Sequence, residues 1–436
     1  SIVANAVTGF RQLYLDQIGH HSTAYTVYTN RPAPGAMRGY GIPQCNFAVE
    51  CMMDDIAREK GWDPKAFRLA NLMPLGYVDP FNGISCHSTG LAEGIEKGAD
   101  FIGWAELREK YKEQSGPVHR GVGMACFSYK TGVYPISLET ASARMVLNQD
   151  GTVQLHLGAT EIGQGGDTVF SQMAAQAIGI PTEDVHIVSF QDTDTAPFDT
   201  GAYASRQTYV TGKATEKCAL ELRGKICALG AKLLGCDKEQ VSFDGREVRV
   251  EEGENAGKTI SLSDIATASM NGNSIELQAT VTHSSEISPP PYMVGAAEIE
   301  VDTETGEVTL LDYAAAVDCG TPINPNLTRV QAEGGIAQGI GMTLTESVTY
   351  DDRGYPMENS LFQYKIPARV DIGKIRVEFE NSYEGEGPFG AKSIGEVVIN
   401  TPLPAISDAI RNAVGKRFYE LPITPEKIAM AALEKK

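Results

Sequence analysis

The chain has 436 residues, 42% of them hydrophobic and 21% charged, with a formal net charge of −19 at pH 7. That length supports two or three domains with substantial cores, and the composition is ordinary for a soluble globular protein. The negative charge argues against nucleic acid or an anionic membrane as a partner, and any anionic cofactor must be held by local backbone amides and a few placed cations.

In chain order, residues 1–30 read as a helix, Ile2 to Leu15, and then a strand, Ala24 to Tyr28. The segment RPAPGAMRGYGIPQ (31–44) is a Pro/Gly loop around one central cation, Arg38. A helix from Cys45 to Lys60 places Val49, Met52 and Ile56 on one face, and Asp63-Pro64 caps another that runs to Leu72. A loop from Pro74 to Thr89 carries Phe81, and Ser88 to Tyr111 reads as an amphipathic helix. The Ser115-Gly116-Pro117 turn sets an expected boundary between domains 1–115 and 116–436. Beyond it, Gly121 to Phe127 reads as a strand, and Asp150-Gly151 joins a hairpin of Ala141–Leu147 and Thr152–Leu157. GATEIGQGG (158–166) opens a helix to Ile178 that Gly179 and Pro181 end. The strand Val185–Ser189 leads to the loop DTDTAPFDTGAYASRQT (192–208) and a long helix over 211–235.

Two further hairpins surround Asp244-Gly245 and Thr305-Gly306, and DCGTPINPNLTRVQAEGGIAQGIG (318–341) enters a helix. Near the C-terminus, GEGPFGAKSIGEVVINTPLP (385–404) combines a glycine run with one carboxylate, Glu396, before Thr401-Pro402 opens a helix that Gly415 closes. Strands separated by helices, with hairpins, indicate α+β or α/β layers with a mixed sheet.

Four glycine-rich loops (35–41, 158–166, 334–341, 385–395) each adjoin a helix, where exposed N–H groups bind anions. None matches a nucleotide-binding fingerprint, which points to a large polyanionic cofactor wrapped by backbone. The local sequence leaves Glu396 open between a general base with a shifted pKa and a structural carboxylate on backbone amides. Arg38 is likewise a loop cation or a group that holds a substrate oxygen. Lys392 and Arg206 read either as cations that neutralise a cofactor phosphate or, in preference, as solvated side chains. None of the seven histidines has metal-ligand spacing. The eight cysteines form no C-x-x-C pair, so a zinc or iron–sulfur site is not expected here, and scattered thiols fit a reducing, cytoplasmic home. No apolar run approaches the ~18 residues of a membrane span, and no signal peptide is evident. The absence of an initial Met reads as a processed, split or shortened chain.

Together these segments resemble the molybdenum-binding (molybdopterin) subunit of the xanthine dehydrogenase family of molybdenum hydroxylases, in its C-terminal part. AMRGYGIPQ is similar to the segment that carries an active-site Arg, here Arg38. EIGQG is similar to the segment whose Gln bonds the pterin, here Gln164 with Gly165. GAYASRQT resembles the loop whose backbone runs beside the metal and dithiolene, here Gly201, Ala202, Tyr203, Ala204 and Ser205. GAKSIGE supplies Glu396, the family's base, with Gly395 at the cofactor. D-C-G-x-x-I-N-P and EGGIAQGIG resemble further cavity-lining segments. Phe81, ten residues after Asn71, has the spacing at which the resemblance implies an aromatic that stacks on a flat substrate, with core packing the equal alternative, and Tyr134 is a second substrate-pocket candidate.

The resemblance implies an α+β protein of two molybdopterin-binding domains, mixed sheets flanked by helices, with the first only partly present. It implies that Glu396, with its pKa raised in a dry cavity, takes the proton of a metal-bound hydroxyl whose oxygen passes to an electron-poor carbon, while Arg38 stabilises charge on the heterocycle. It also implies molybdopterin with Mo, in simple or cytosine dinucleotide form, and [2Fe-2S] and FAD on partner subunits. The remaining N-terminal half of the molybdenum subunit is a further partner, in an oligomer. The family's glycine-rich G-G-G-F-G-G-K-type motif and upstream Gln and Glu are absent, so the chain alone is expected to be inactive. Gly35-Ala36-Met37-Arg38 lacks the Cys of the carbon monoxide branch. QDTDTAPFDTGAYASRQTYV and LPITPEK are most similar to bacterial xanthine dehydrogenases, which favours a purine substrate. Nicotinate, aldehydes and 4-hydroxybenzoyl-CoA are alternatives, and a non-catalytic cofactor-docking fragment is the reading of another class.

Overall fold

A computed structural model describes residues 2–8, 13–14, 21–33, 35–80, 85–188, 192–271, 277–380 and 382–434. In chain order the elements begin with α1 (Ile2–Thr8), α2 (Ile42–Glu59), α3 (Pro64–Leu69), α4 (Leu91–Ile102), α5 (Trp104–Lys110) and β1 (Val118–Ser128). There follow β2 (Thr140–Leu147), β3 (Val153–Leu157), α6 (Gly166–Ile178), β4 (Val185–Val188), α7 (Gln207–Leu234), β5 (Val241–Phe243), β6 (Glu247–Val250), β7 (Thr259–Ser261), α8 (Leu262–Met270) and β8 (Gln278–Ser284). The last are β9 (Tyr292–Asp302), β10 (Val308–Asp318), α9 (Pro325–Leu344), β11 (Lys374–Phe379), α10 (Pro402–Val414) and α11 (Pro425–Leu433). The fold is α+β with mixed sheets, and the packing divides it into two compact units.

The first unit comprises residues 1–130, 289–384 and 392–436. Its sheet has the order β1-β9-β10-β11, antiparallel except for the β10–β11 pair. The period-2 alternation of a strand sends Val122, Met124 and Cys126 of β1 to one face, where they pack with Leu91, Ile95 and Ala99 of α4. Ala125 and Phe127 go to the other, where they pack with Ile336 of α9 and Ile406 and Ile410 of α10. An ion network inside this unit joins α2, α3 and α10. Arg68 Nε donates to Glu50 Oε2 at 2.9 Å, and Arg417 bonds Asp408 at 2.5 Å and Asp54 at 3.0 Å.

The second unit comprises residues 131–288 and 385–391. Its main sheet has the order β4-β3-β2-β8, with β3–β4 parallel, and a smaller antiparallel sheet has the order β5-β6-β7. These units group residues by packing, whereas the division at 115 expected from the sequence concerns segments of the chain. β1, beginning at Val118, already belongs to the first unit.

The three expected hairpins form, with Leu147 opposite Val153, Phe243 opposite Val248 and Val301 opposite Val308. Asp63 caps α3 by accepting from Lys65 N–H at 3.1 Å. Several expectations give way to tertiary structure. The first helix does not run to residue 15: Leu13 is buried, and Tyr14 forms a bridge to Leu72 and donates its hydroxyl to Glu50. Residues 24–28 lie exposed and pair with no described strand; a strand needs a neighbour for its N–H and C=O groups. The helix expected over 88–111 breaks into α4 and α5 at Gly103, which is left-handed at φ 78°. Thr401 is no side-chain cap, because its buried hydroxyl accepts from Tyr313 O–H at 2.9 Å.

Candidate active site

The first unit brings Arg38, Gly395 and Glu396 together. Arg38 follows the Pro/Gly loop and precedes α2, while Gly395 and Glu396 precede α10, 357 residues later. Arg38 Nε donates to Gly395 O at 2.5 Å. Its Nη1 donates to Gln338 Oε1 at 3.1 Å, and its Nη2 donates to Gln331 O at 3.2 Å and Gln331 Oε1 at 3.0 Å. Glu396 Oε1 in turn accepts from Gly39 N–H at 3.2 Å and Tyr129 O–H at 3.1 Å. Gly39, Tyr40 and Gly41 all have positive φ (86°, 34° and 86°), the turn that aims the Gly39 amide at the carboxylate.

Lys392 pins this segment from its other end. The sequence suggested a solvated side chain, but it is 2% exposed. Its Nζ donates to Asp318 Oδ2 at 2.7 Å, and its backbone N–H donates to Cys319 O at 2.7 Å. A buried cation needs such a partner, and Asp318, the last residue of β10, provides it. On the Met37 side of Arg38, an apolar pocket of 920 Å³ is lined by residues including Phe47, Met52, Met342 and Leu403, within the range of small-molecule sites.

The second unit collects the remaining loops. Gln164 Nε2 donates to Thr160 O at 3.1 Å and to Gln207 Oε1 at 3.0 Å, which ties the EIGQG loop to the start of α7. In that loop Gly163, Gly165 and Asp167 N–H groups converge on the Glu161 carboxylate at 2.7, 3.1 and 3.0 Å. These backbone bonds outweigh burial and hold Glu161 below the usual carboxylate range. Gly201 to Ser205 form the loop before α7, with Tyr203 41% exposed. Gly132 N–H donates to Ala204 O at 2.8 Å, and Tyr134, two residues further on, is half-buried. Pro388 packs on α7 at Gly212, where a Cβ would lie 3.1 Å from its Cγ. Phe81 lies outside the described residues.

Arg206, also read as solvated, is fully buried and forms ion pairs with the equally buried Glu139 and Asp199. Its guanidinium further donates to Thr140 O at 2.8 Å and Gly201 O at 3.1 Å, and Gly201 N–H donates to Asp199 at 2.9 Å. This triad closes the 199–206 loop on itself.

Unusual backbone conformation marks loops in each unit. Among the described residues, the non-glycine residues with positive φ are Tyr40, Ala204, Ser205 and Phe389. All four sit on loops singled out from sequence. Such conformations persist only where surrounding structure enforces them and cluster at ligand-binding sites. Left-handed turns also present successive N–H groups to an anion, as the Glu161 carboxylate shows in the EIGQG loop.

Local motifs did not single out Tyr129 or Gln331, and Gln338 lies within EGGIAQGIG but is not marked out by it. Gln331 and Gln338 are seven residues apart, two turns of α9, and therefore share a face; that spacing was the available signal. Burial pushes the Tyr129 hydroxyl far above its ordinary range, with the Glu396 charge adding to the shift. Burial lowers the proton affinity of Arg38 and Lys130, and in both cases Glu396 opposes the shift.

Residues 97–373 match the family model of a molybdopterin cofactor-binding domain, and residues 1–72 match a second such model. The chain therefore belongs to the molybdopterin cofactor-binding family. Among its relatives, the xanthine dehydrogenase molybdenum-binding subunit of Escherichia coli O157:H7 is 39% identical over 92% of this chain and 54% of the relative. The aldehyde oxidoreductase of Megalodesulfovibrio gigas is 31% identical over 93% of this chain and 42% of the relative. The structure of quinoline 2-oxidoreductase from Pseudomonas putida 86 superposes with a TM-score of 0.83 at 28% identity, over 92% of this chain and 53% of that one. The chain thus spans about half the length of these relatives. Among the described residues no helix is long and apolar enough to cross a membrane.

Proposed function

We propose that this chain is the molybdenum-binding portion of a xanthine or purine dehydrogenase, which hydroxylates an electron-poor C–H carbon with oxygen derived from water. The observation that carries the proposal is the mutual grip of two loops 357 residues apart: Arg38 on Gly395 O, and Glu396 on the Gly39 amide. A guanidinium and a carboxylate held in one place by each other's backbone suit charge stabilisation and proton transfer. The loops at 158–166 and 201–205, with Gln164 and Gly165, would hold molybdopterin, whether simple or as the cytosine dinucleotide. When bound, that group supplies the two-electron redox chemistry. Glu396 accepts the proton released as the substrate carbon is hydroxylated. Arg38, fixed by Gln331 and Gln338, faces developing negative charge on the substrate heterocycle. Phe81 and Tyr134 are proposed to orient its plane.

The remaining half of a molybdenum subunit, and partners with [2Fe-2S] and FAD, complete the proposed cytoplasmic assembly. Similarity to a xanthine dehydrogenase subunit supports the purine substrate, whereas similarity to an aldehyde oxidoreductase favours aldehydes as the second reading. The test is steady-state turnover of xanthine by the native assembly, against a panel of aldehydes, nicotinate and 4-hydroxybenzoyl-CoA. Preferred turnover of xanthine supports the proposal. A molybdenum-loaded assembly that ignores xanthine and oxidises aldehydes refutes the substrate, and one that carries molybdenum but turns over nothing in the panel leaves a docking function.

A further inference from the structure

Tyr129 is the first residue past β1. Its side chain is 2% exposed, its ring lies 6.3 Å from that of Phe127, and its N–H donates to Pro291 O at 3.2 Å. Its hydroxyl meets Glu396 Oε1 at 3.1 Å, the oxygen that also accepts the Gly39 amide. Among the described residues, charged and titratable groups act on this carboxylate from the loop before α2 and from the end of β1. The loop before α2 contributes Arg38, and Tyr40 acts on Tyr129. The end of β1 contributes Tyr129 itself and Lys130, whose Nζ is bonded to Asn5 Oδ1 at 2.8 Å. From α9 come the neutral Gln331 and Gln338, already engaged by Arg38.

We infer that Tyr129 is the positioning residue for Glu396: its O–H fixes the carboxylate's orientation and favours its anion, the form in which it takes a proton. The inference rests on the reading of Glu396 as the base. A hydrogen bond to the charged form stabilises that form. Burial keeps the phenol protonated, so it acts only as a donor to this oxygen. The Gly39 amide belongs to the backbone, whereas Tyr129 is a side-chain donor in the cradle that a substitution can remove.

The test follows the Glu396 carboxyl band in the 436-residue chain by isotope-edited infrared difference spectroscopy, with the band assigned by its loss in Glu396→Gln. Titrations are compared for the wild type, Tyr129→Phe and a chain with 3-fluorotyrosine at position 129. Deleting the donor raises the carboxyl midpoint by about one pH unit, the size expected for one hydrogen bond to a charged group. The more acidic fluorophenol, nearly the same in shape, lowers it. Coincident titrations, or shifts of the same sign for both changes, overturn the inference, since altered packing alone produces no such opposition. In the assembled enzyme the acid limb of kcat/KM moves with the same signs. If Glu396→Gln retains turnover, the base assignment falls, while the infrared titration still decides what Tyr129 does to the carboxylate.

Discussion

Replacing Arg206 with Met tests the buried triad that shapes the 199–206 loop. The guanidinium and both carboxylates are fully buried. Without it, Glu139 keeps a bond from Val133 N–H, and Asp199 keeps bonds from Gly201 N–H at 2.9 Å and Thr211 O–H at 2.6 Å. Those donors do not neutralise two buried negative charges. Breaking a buried pair by removing one partner costs ~3–5 kcal/mol. For a unit of roughly 160 residues, at ~2–4 °C per kcal/mol, the unfolding transition of the second unit falls by about 6–20 °C. Thermal denaturation followed by circular dichroism measures it, and hydrogen exchange should show protection lost at residues 199–206. Adding Glu139→Gln to Arg206→Met removes one stranded charge and restores part of the loss. A single variant within about 1 kcal/mol of wild type, the worth of a surface pair, would refute the reasoning.

Arg68→Met is expected to destabilise the first unit by ~3–5 kcal/mol in denaturant titrations, because Glu50 is equally buried beside it. Gly212→Ala should cost ~1–3 kcal/mol through overpacking, since its Cβ would lie 2.9 Å from Met173 Sδ and 3.1 Å from Pro388 Cγ. Burial, with Lys217 at 3.1 Å and Lys213, pushes His283 down to about 4 from its ordinary 6.5. Folded His283 therefore stays neutral while the unfolded chain takes up a proton. Stability held above pH 6.5 is lost as the pH falls towards 4, and His283→Gln should flatten the pH dependence of the thermal midpoint across that window.

Much of the architecture was legible because its signals are local. Asp150-Gly151 and Thr305-Gly306 mark hairpins by turn chemistry alone, and Gly179 and Gly415 end helices in the left-handed conformation expected of them. The loops with non-glycine positive φ were legible as glycine-rich or motif-bearing segments. What stayed hidden depends on distant partners. Lys392 and Arg206 look solvated until Asp318, 74 residues away, and Glu139, 67 residues away, are placed beside them. Tyr129 carries no motif, and only strand alternation and the arrival of Glu396, 267 residues later, make it a donor. The proximity of Arg38 and Glu396 was reachable only through family resemblance, since no local pattern spans 357 residues. The strand expected at 24–28 pairs with no described strand.

Glu396 is proposed as the base. The most direct test is turnover of the assembled enzyme carrying Glu396→Ala, compared with wild type at matched molybdenum content. A well-placed base contributes ~10²–10⁴-fold. The expected result is a rate reduced by about that factor with cofactor loading unchanged; a variant that keeps its wild-type rate would make Glu396 a structural carboxylate and not the base.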